Sequence, residues 1–93
     1  METILAKDVF QVPPPGTHPT WEQYAQLSDI LKDQEWNERN GNIFIWGPGT
    51  NIPEDGEVAE AAVAEPGDWI VKEADGEVNV YTDADFQGWY QVV

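Results

Sequence analysis

The chain has 93 residues, and its 18 acidic and 4 basic side chains give it a formal net charge of −14. This length fits a single domain over residues 1–93. Clustered Lys and Arg are what bind nucleic acid and anionic lipid, so the composition argues against both as direct ligands and leaves a basic partner. The chain has no cysteine, which excludes disulfide scaffolds, thiolate metal sites and thiol catalysis.

The aromatic content argues for a folded chain despite the charge. High net charge with low hydropathy is typical of disorder, but five Trp, three Tyr and three Phe are enough to build a core. The first residues lack a basic segment followed by an apolar run, and no 18 apolar residues are consecutive. The sequence therefore predicts a protein of the cytoplasm with no membrane contact.

The N-terminal half is predicted to form a strand, a helix and a second strand. Residues 4–12 favour a strand that stops at the prolines of 13–15. Thr20 and Gln23 have the spacing of a capping box, which predicts a helix over residues 21–36. The short apolar run of residues 43–46, closed by a Gly-Pro-Gly turn, predicts a buried strand.

The C-terminal half is predicted to be mostly β. Residues 57–65 favour an edge strand, and Asp75-Gly76 between two apolar runs predicts a hairpin. A two-residue turn there sets Val71 opposite Val80, which places four side chains on one face: Trp69, Val71, Val78 and Val80. A helical turn capped by Asp83 and a closing strand over residues 89–93 follow.

These elements predict an α+β fold. We expect a curved, mainly antiparallel sheet of about five strands with one main α-helix packed on one face.

Catalytic and metal-binding chemistry has little support in the residues. His18 is the one imidazole, so a two-histidine metal site and a Ser-His-Asp arrangement both lack partners. Carboxylate pairs arise by chance among 18 acids, and Asp83 and Asp85 lack the Gly and Glu of a calcium loop. We therefore predict that the chain is not an enzyme and binds neither a metal nor a cofactor.

Tryptophan serves both as core filler and as interface anchor. Apolar neighbours predict that Trp21 and Trp69 lie in the core. Trp36 at a helix end and Trp46 at a strand end are the candidates for exposure, and Trp46 is the predicted aromatic partner contact.

The excess of acidic residues has two interpretations. One is solubility alone. The other is a surface shaped for a cationic groove, since carboxylates two apart on a strand are separated by about 6.6–6.8 Å, near the phosphate spacing of nucleic acid. On this second interpretation the predicted partner-binding residues are Glu22, Asp29, Asp33, Glu54, Asp55, Glu57 and Glu60, together with Trp46.

The C-terminal third resembles a group of small phage and prophage proteins. Members of that group end in a Pro-Gly-Asp-Trp-Ile stretch, a hairpin and a terminal Tyr-x-x-Val. The corresponding residues here are Glu65 to Lys72, Gly76-Glu77, Asp85-Phe86 and Tyr90 to Val93. The resemblance implies a phage origin, with structural roles for Trp69 and Phe86, and small acidic phage proteins are often inhibitors of host proteins.

Charge and resemblance together predict a phage-encoded inhibitor in the host cytoplasm. It would block a basic defence or nucleic-acid-binding protein without catalysis, in the manner of anti-CRISPR inhibitors and other DNA mimics. The alternative is a small structural or assembly protein of the virion, in which the acidity serves solubility. The sequence leaves the oligomeric state open.

Overall fold

The structure, a computed structural model, describes residues 1–17, 19–46 and 62–93. Its strands are β1 (Glu2–Ile4), β2 (Val9–Gln11), β3 (Glu35–Arg39), β4 (Asn42–Trp46), β5 (Ala62–Ala64), β6 (Trp69–Lys72), β7 (Val78–Tyr81) and β8 (Tyr90–Val92). Its helices are α1 (Trp21–Ile30) and α2 (Asp83–Trp89), and a 3-10 turn spans Ala6–Asp8. The α+β class is confirmed.

The described strands pair in three small sheets. β1 and β8 form a parallel pair, and the two other sheets are antiparallel, in the orders β2-β6-β7 and β3-β4-β5. Antiparallel pairing therefore dominates as predicted, but the single curved sheet of about five strands is not confirmed. The predicted first strand is also divided, because the 3-10 turn sends β1 and β2 to different sheets.

Helix α1 begins where the capping box predicts. The Gln23 amide donates to Thr20 Oγ1 at 3.2 Å, and the Thr20 amide donates to Gln23 Oε1 at 2.8 Å. The prediction of a helix to residue 36 is wrong, because α1 ends at Ile30. Residues 35–39 instead pair with β4 as strand β3.

A two-residue turn explains why the helix ends early. Asn40 and Gly41 have φ angles of 53° and 84°, and Arg39 pairs with Asn42 across them. Two consecutive positive φ angles at Asn-Gly are typical of the type I′ turn, whose twist matches a β-hairpin. This turn commits the residues before it to extended backbone and cross-strand pairing.

The hairpin at Asp75-Gly76 forms, but its predicted register is wrong by one residue. Val71 pairs with Asn79, and Ile70 pairs with Val80. The Glu73 amide donates to the Glu77 carbonyl at 2.8 Å and Gly76 has a φ of 88°, so the loop has three residues rather than two. A one-residue shift sends each side chain to the opposite face of the sheet.

The middle sheet, β2-β6-β7, therefore separates two apolar clusters. On one face, Ile70 joins a cluster with α1, β2, β4 and β5, whose buried members are Phe10, Val12, Leu27, Ile30, Leu31, Ile43, Ile45 and Ala64. On the other face, Val71 packs with Val9, Phe86 and Tyr90. The predicted helix packs on one face, and α2 with the β1-β8 pair covers the other.

Two further predictions have clear outcomes. The predicted edge strand is observed as β5 over residues 62–64, at the edge of its sheet, while residues 57–61 lie outside the described part of the chain. The predicted cap Asp83 is the first residue of α2, and Thr82 is the cap, since its side chain accepts from the Asp85 amide at 3.2 Å.

Candidate interaction surfaces

The outer face of α1 carries an exposed tryptophan beside two of the predicted acids. Leu27, Ile30 and Leu31 point into the first cluster, so the residues on the opposite side of the helix face solvent. Trp21 is 77 % exposed, and the prediction that it lies in the core is wrong. Trp21, Ala25 and Asp29 follow one another at four-residue spacing, which places them on one helix face.

A groove runs between this face and the 3-10 turn. Gln26 Nε2 donates to the carbonyls of Ala6 at 3.1 Å and Val9 at 2.6 Å, which holds the turn against α1. The groove has a volume of about 520 Å³, and its lining residues are Ala6, Lys7, Trp21, Glu22, Ala25, Gln26 and Asp29. We call it the α1 groove.

The structure brings two of the seven predicted acids together. Glu22 and Asp29 are exposed and line the α1 groove. Asp33 is also exposed, but it follows the end of the helix and does not line the groove. The other four predicted acids lie outside the described residues: Glu54, Asp55, Glu57 and Glu60. His18 also lies outside them.

Trp46 is buried, so the prediction that it is exposed is wrong. It is 4 % exposed, and its ring lies 6.3 Å from that of Phe44, two residues earlier on β4. Its indole N–H has no hydrogen-bond acceptor among the described residues. Trp46 ends the central strand of its sheet and is buried, so its place at a strand end was a poor guide to exposure.

A second cluster of polar and aromatic groups was not anticipated from the sequence. The hydroxyls of Tyr81 and Tyr90 both donate to Glu73 Oε1 at 2.7 Å, and Tyr90 also reaches Oε2 at 2.9 Å. Glu73 directly follows β6, whereas Tyr81 ends β7 and Tyr90 begins β8. Their convergence depends on the register and on α2, neither of which the spacing of the residues shows.

This cluster keeps both tyrosines protonated. Burial raises the pKa of Tyr90 far above its usual value, and the neighbouring Tyr81 hydroxyl and the hydrogen bond to Glu73 raise it further. For Tyr81, the neighbouring Tyr90 hydroxyl lowers the pKa, but the hydrogen bond to Glu73 and burial outweigh it and the net pKa is raised. Each phenol therefore remains a hydrogen-bond donor to Glu73 at neutral pH.

Tyr90→Phe is expected to change the dependence of stability on alkaline pH. A raised phenol pKa stabilises the fold fully below about pH 10, and this contribution falls as pH rises further, by about 1.4 kcal/mol per pH unit for each such tyrosine. At pH 7 the free energy of unfolding of the variant should be lower than that of the parent chain by roughly 1.5–3 kcal/mol. The reason is that the missing Tyr90 hydroxyl is hydrogen-bonded to a charged carboxylate. Between pH 10 and 12 the free energy of unfolding of the variant should then fall by less than that of the parent chain.

Urea unfolding at several pH values measures this difference. The matched control is Tyr24→Phe, which removes a hydroxyl that donates to the exposed Glu38 at 2.9 Å. At pH 7 the free energy of unfolding should fall less in Tyr24→Phe than in Tyr90→Phe. Parallel stability curves for the parent chain and Tyr90→Phe above pH 10 would contradict the assignment.

Metal coordination has no site in the described part of the chain. Within residues 1–17, 19–46 and 62–93, no three His, Cys, Asp or Glu side chains lie close enough to hold an ion. Asp83, one of the pair weighed for calcium, instead accepts a hydrogen bond from the Trp69 indole at 2.8 Å.

The fold and these surfaces define a small, strongly acidic α+β protein with exposed aromatic side chains beside carboxylates. Comparison of the chain with family models, curated protein sequences and solved structures finds no match. None of the helices in the described ranges is long and apolar enough to cross a membrane.

Proposed function

We propose that this chain is an acidic binding protein that occupies a basic surface of a partner and has no catalytic role. The observation that carries the proposal is the α1 groove, where the exposed acids Glu22 and Asp29 line the same groove as Trp21. The net charge of −14 extends the same negative field over the whole molecule.

Charge and aromatic surface have separate physical effects. A negative field steers a basic protein toward the chain and speeds association, and salt screens this effect. An exposed Trp buries a large apolar area against a partner and attracts Arg or Lys over its ring. The combination suits a surface rich in Lys and Arg, such as the groove of a nucleic-acid-binding protein.

The resemblance to phage proteins supports a biological setting for this binding. We propose that the chain is phage-encoded, acts in the host cytoplasm and inhibits a host defence or nucleic-acid-binding protein. The anti-CRISPR-like mode is occlusion: carboxylates occupy the positions at which the partner binds phosphates. Glu22 and Asp29, seven residues apart on α1, lie about 10.5 Å apart along the helix axis.

Charge reversal in the α1 groove tests this proposal. The tagged chain is used to capture proteins from host lysate at low salt, and binding of the captured basic protein is then measured with purified components. Glu22→Lys with Asp29→Lys should weaken binding roughly tenfold or more at low salt, and the difference should shrink at high salt. Trp21→Ala should weaken binding at both salt concentrations.

The matched control makes the same change in total charge elsewhere. Glu65→Lys with Glu77→Lys alters two exposed acids that do not line the groove, so binding should fall less. Equal losses in the two double variants would assign binding to net charge alone. Unchanged binding in the α1 variant would overturn the role of the groove.

The virion assembly protein is a second candidate, and the exposed aromatics favour it. Trp89 is 65 % exposed and Trp21 is 77 % exposed, and large exposed aromatics are typical of protein interfaces. An assembly protein should form a defined oligomer that Trp21→Ala or Trp89→Ala disrupts. Light scattering of the purified chain separates it from a monomeric inhibitor.

A further inference from the structure

A pocket beside α2 and the β1-β8 pair is lined by three aromatic and three acidic side chains. Its volume is about 400 Å³, and its lining residues are Glu2, Glu73, Tyr81, Asp85, Trp89 and Tyr90. None of these six described residues is basic, and none of them lines the α1 groove.

Local structure explains how these residues converge. Asp85 and Trp89 are four residues apart on α2, so they lie on the same helix face. The parallel register pairs Glu2 with Tyr90, which places Glu2 beside the start of β8. Tyr81 is the last residue of β7, directly before the cap of α2.

The tyrosine rings meet at an angle and are held by one carboxylate. Their centroids are 5.7 Å apart and their planes are inclined by 61°. Both hydroxyls donate to Glu73, which orients the two rings and keeps a negative charge beside them. Trp89 adds a third aromatic side chain, and most of its surface is open to solvent.

This arrangement is suited to one class of ligand. The face of an aromatic ring attracts a cation, and a desolvated alkylammonium gains the most because its methyl groups also pack against the ring. The three carboxylates add attraction for positive charge and repel anions. A neutral ligand of the same shape gains only the packing.

We propose that this pocket binds an organic ammonium group, with Trp89, Tyr81 and the largely buried Tyr90 as its aromatic lining and Glu2, Glu73 and Asp85 as its counter-charges. The group can belong to a free quaternary ammonium compound or to a methylated lysine of a protein. The proposal is independent of any partner bound at the α1 groove.

Titration of the ¹⁵N-labelled full chain, followed by NMR, tests the proposal. The ligands are tetramethylammonium, choline and 3,3-dimethylbutanol, which is the uncharged carbon isostere of choline, at constant ionic strength. We expect both ammonium ions to shift the Trp89 indole signal with affinity roughly tenfold or more above that of the isostere. Equal shifts with the isostere, or no shift of Trp89, would overturn the proposal.

Variants assign the binding to the pocket. Trp89→Leu and Asp85→Asn should each weaken choline binding several-fold. Trp21→Leu changes an exposed Trp outside the pocket and should leave binding unchanged. The site would be refuted if Trp21→Leu weakened choline binding as much as the pocket variants do, or if neither pocket variant weakened it.

Peptides distinguish the two sources of the ammonium group. A short peptide containing trimethyllysine is compared with choline and with the same peptide carrying unmodified lysine. Tighter binding of the methylated peptide than of choline indicates a protein side chain as the ligand, and the reverse order indicates a small molecule. A preference for unmodified lysine over both would contradict the role of the aromatic lining.

Discussion

Phe86→Ala is expected to lower the free energy of unfolding by roughly 3–5 kcal/mol. Phe86 is 1 % exposed, and its ring stacks on Trp69 with centroids 4.0 Å apart and planes inclined by 7°. Its other stacking partner is Tyr90, at 5.4 Å. Alanine would leave a cavity at the centre of the second apolar cluster and remove both ring contacts.

The expected loss is a large part of the total stability. A chain of this length has an unfolding free energy of roughly 5–14 kcal/mol, at about 0.05–0.15 kcal/mol per residue, and self-repulsion among its acids lowers it. The variant should therefore be substantially unfolded in mild urea. Urea titration followed by far-UV circular dichroism measures the difference.

Trp89→Leu is the control in the same helix. Trp89 is larger than Phe86 but 65 % exposed, so its replacement should change the unfolding free energy by less than about 0.5 kcal/mol. A loss below about 1 kcal/mol for Phe86→Ala, or a similar loss for both variants, would contradict the packing around α2.

Ile70→Ala is expected to have the second large effect, roughly 2–5 kcal/mol. Ile70 is fully buried on the central strand of the middle sheet, where it pairs with Phe10 on one side and Val80 on the other. It contributes to the cluster that joins α1 to both three-stranded sheets. Chemical denaturation of the purified variant measures the loss.

A double-mutant cycle tests the hairpin register directly. Because Ile70 and Val80 are paired, their alanine variants should be non-additive by about 0.5 kcal/mol or more. Val71 contributes to the opposite cluster, so Val71→Ala and Val80→Ala should add within about 0.3–0.5 kcal/mol. The two-residue turn predicted from the sequence pairs Val71 with Val80. It therefore requires non-additive effects for that pair and additive effects for Ile70 and Val80.

The start of α1 was predictable because its determinants are local. The Thr20-Gln23 capping box and the apolar residues at positions 27, 30 and 31 lie within three turns of helix. The central strand at residues 43–46 was predictable for the same reason, since a short apolar run before a turn is a local pattern. The position of Glu22 and Asp29 on the outer side of α1 was predictable from the same helical periodicity.

The end of α1 was predictable in principle and was missed. Asn40-Gly41 is a strong hairpin signal, and it competes with the helical pattern over residues 31–36. The pairing of Glu35–Arg39 with β4 decided the competition, because each pair adds hydrogen bonds and cross-strand packing that a frayed helix end lacks. Trp36 consequently lies half-buried on a strand against the first cluster.

The exposure of the tryptophans required the tertiary structure. Trp21 directly follows a helix cap and is predicted to lie in the core, yet it faces solvent, whereas Trp46 at a strand end is buried. Each outcome depends on which surface the neighbouring elements cover. The pairing of Trp21 with Glu22 and Asp29 in one groove, which carries the proposed function, therefore emerged only from the fold.

By itself, the sequence determined the net charge, the α+β class, the start of α1 and the presence of the C-terminal hairpin, because these depend on composition or on residues a few positions apart. The tertiary structure decided the division into three sheets, the hairpin register and the convergence of Glu2, Glu73 and Tyr90. These features are set by contacts between residues far apart in the chain, such as the Glu2–Tyr90 pair, 88 positions apart. The free energy of such contacts depends on how well distant surfaces pack, which no local pattern encodes.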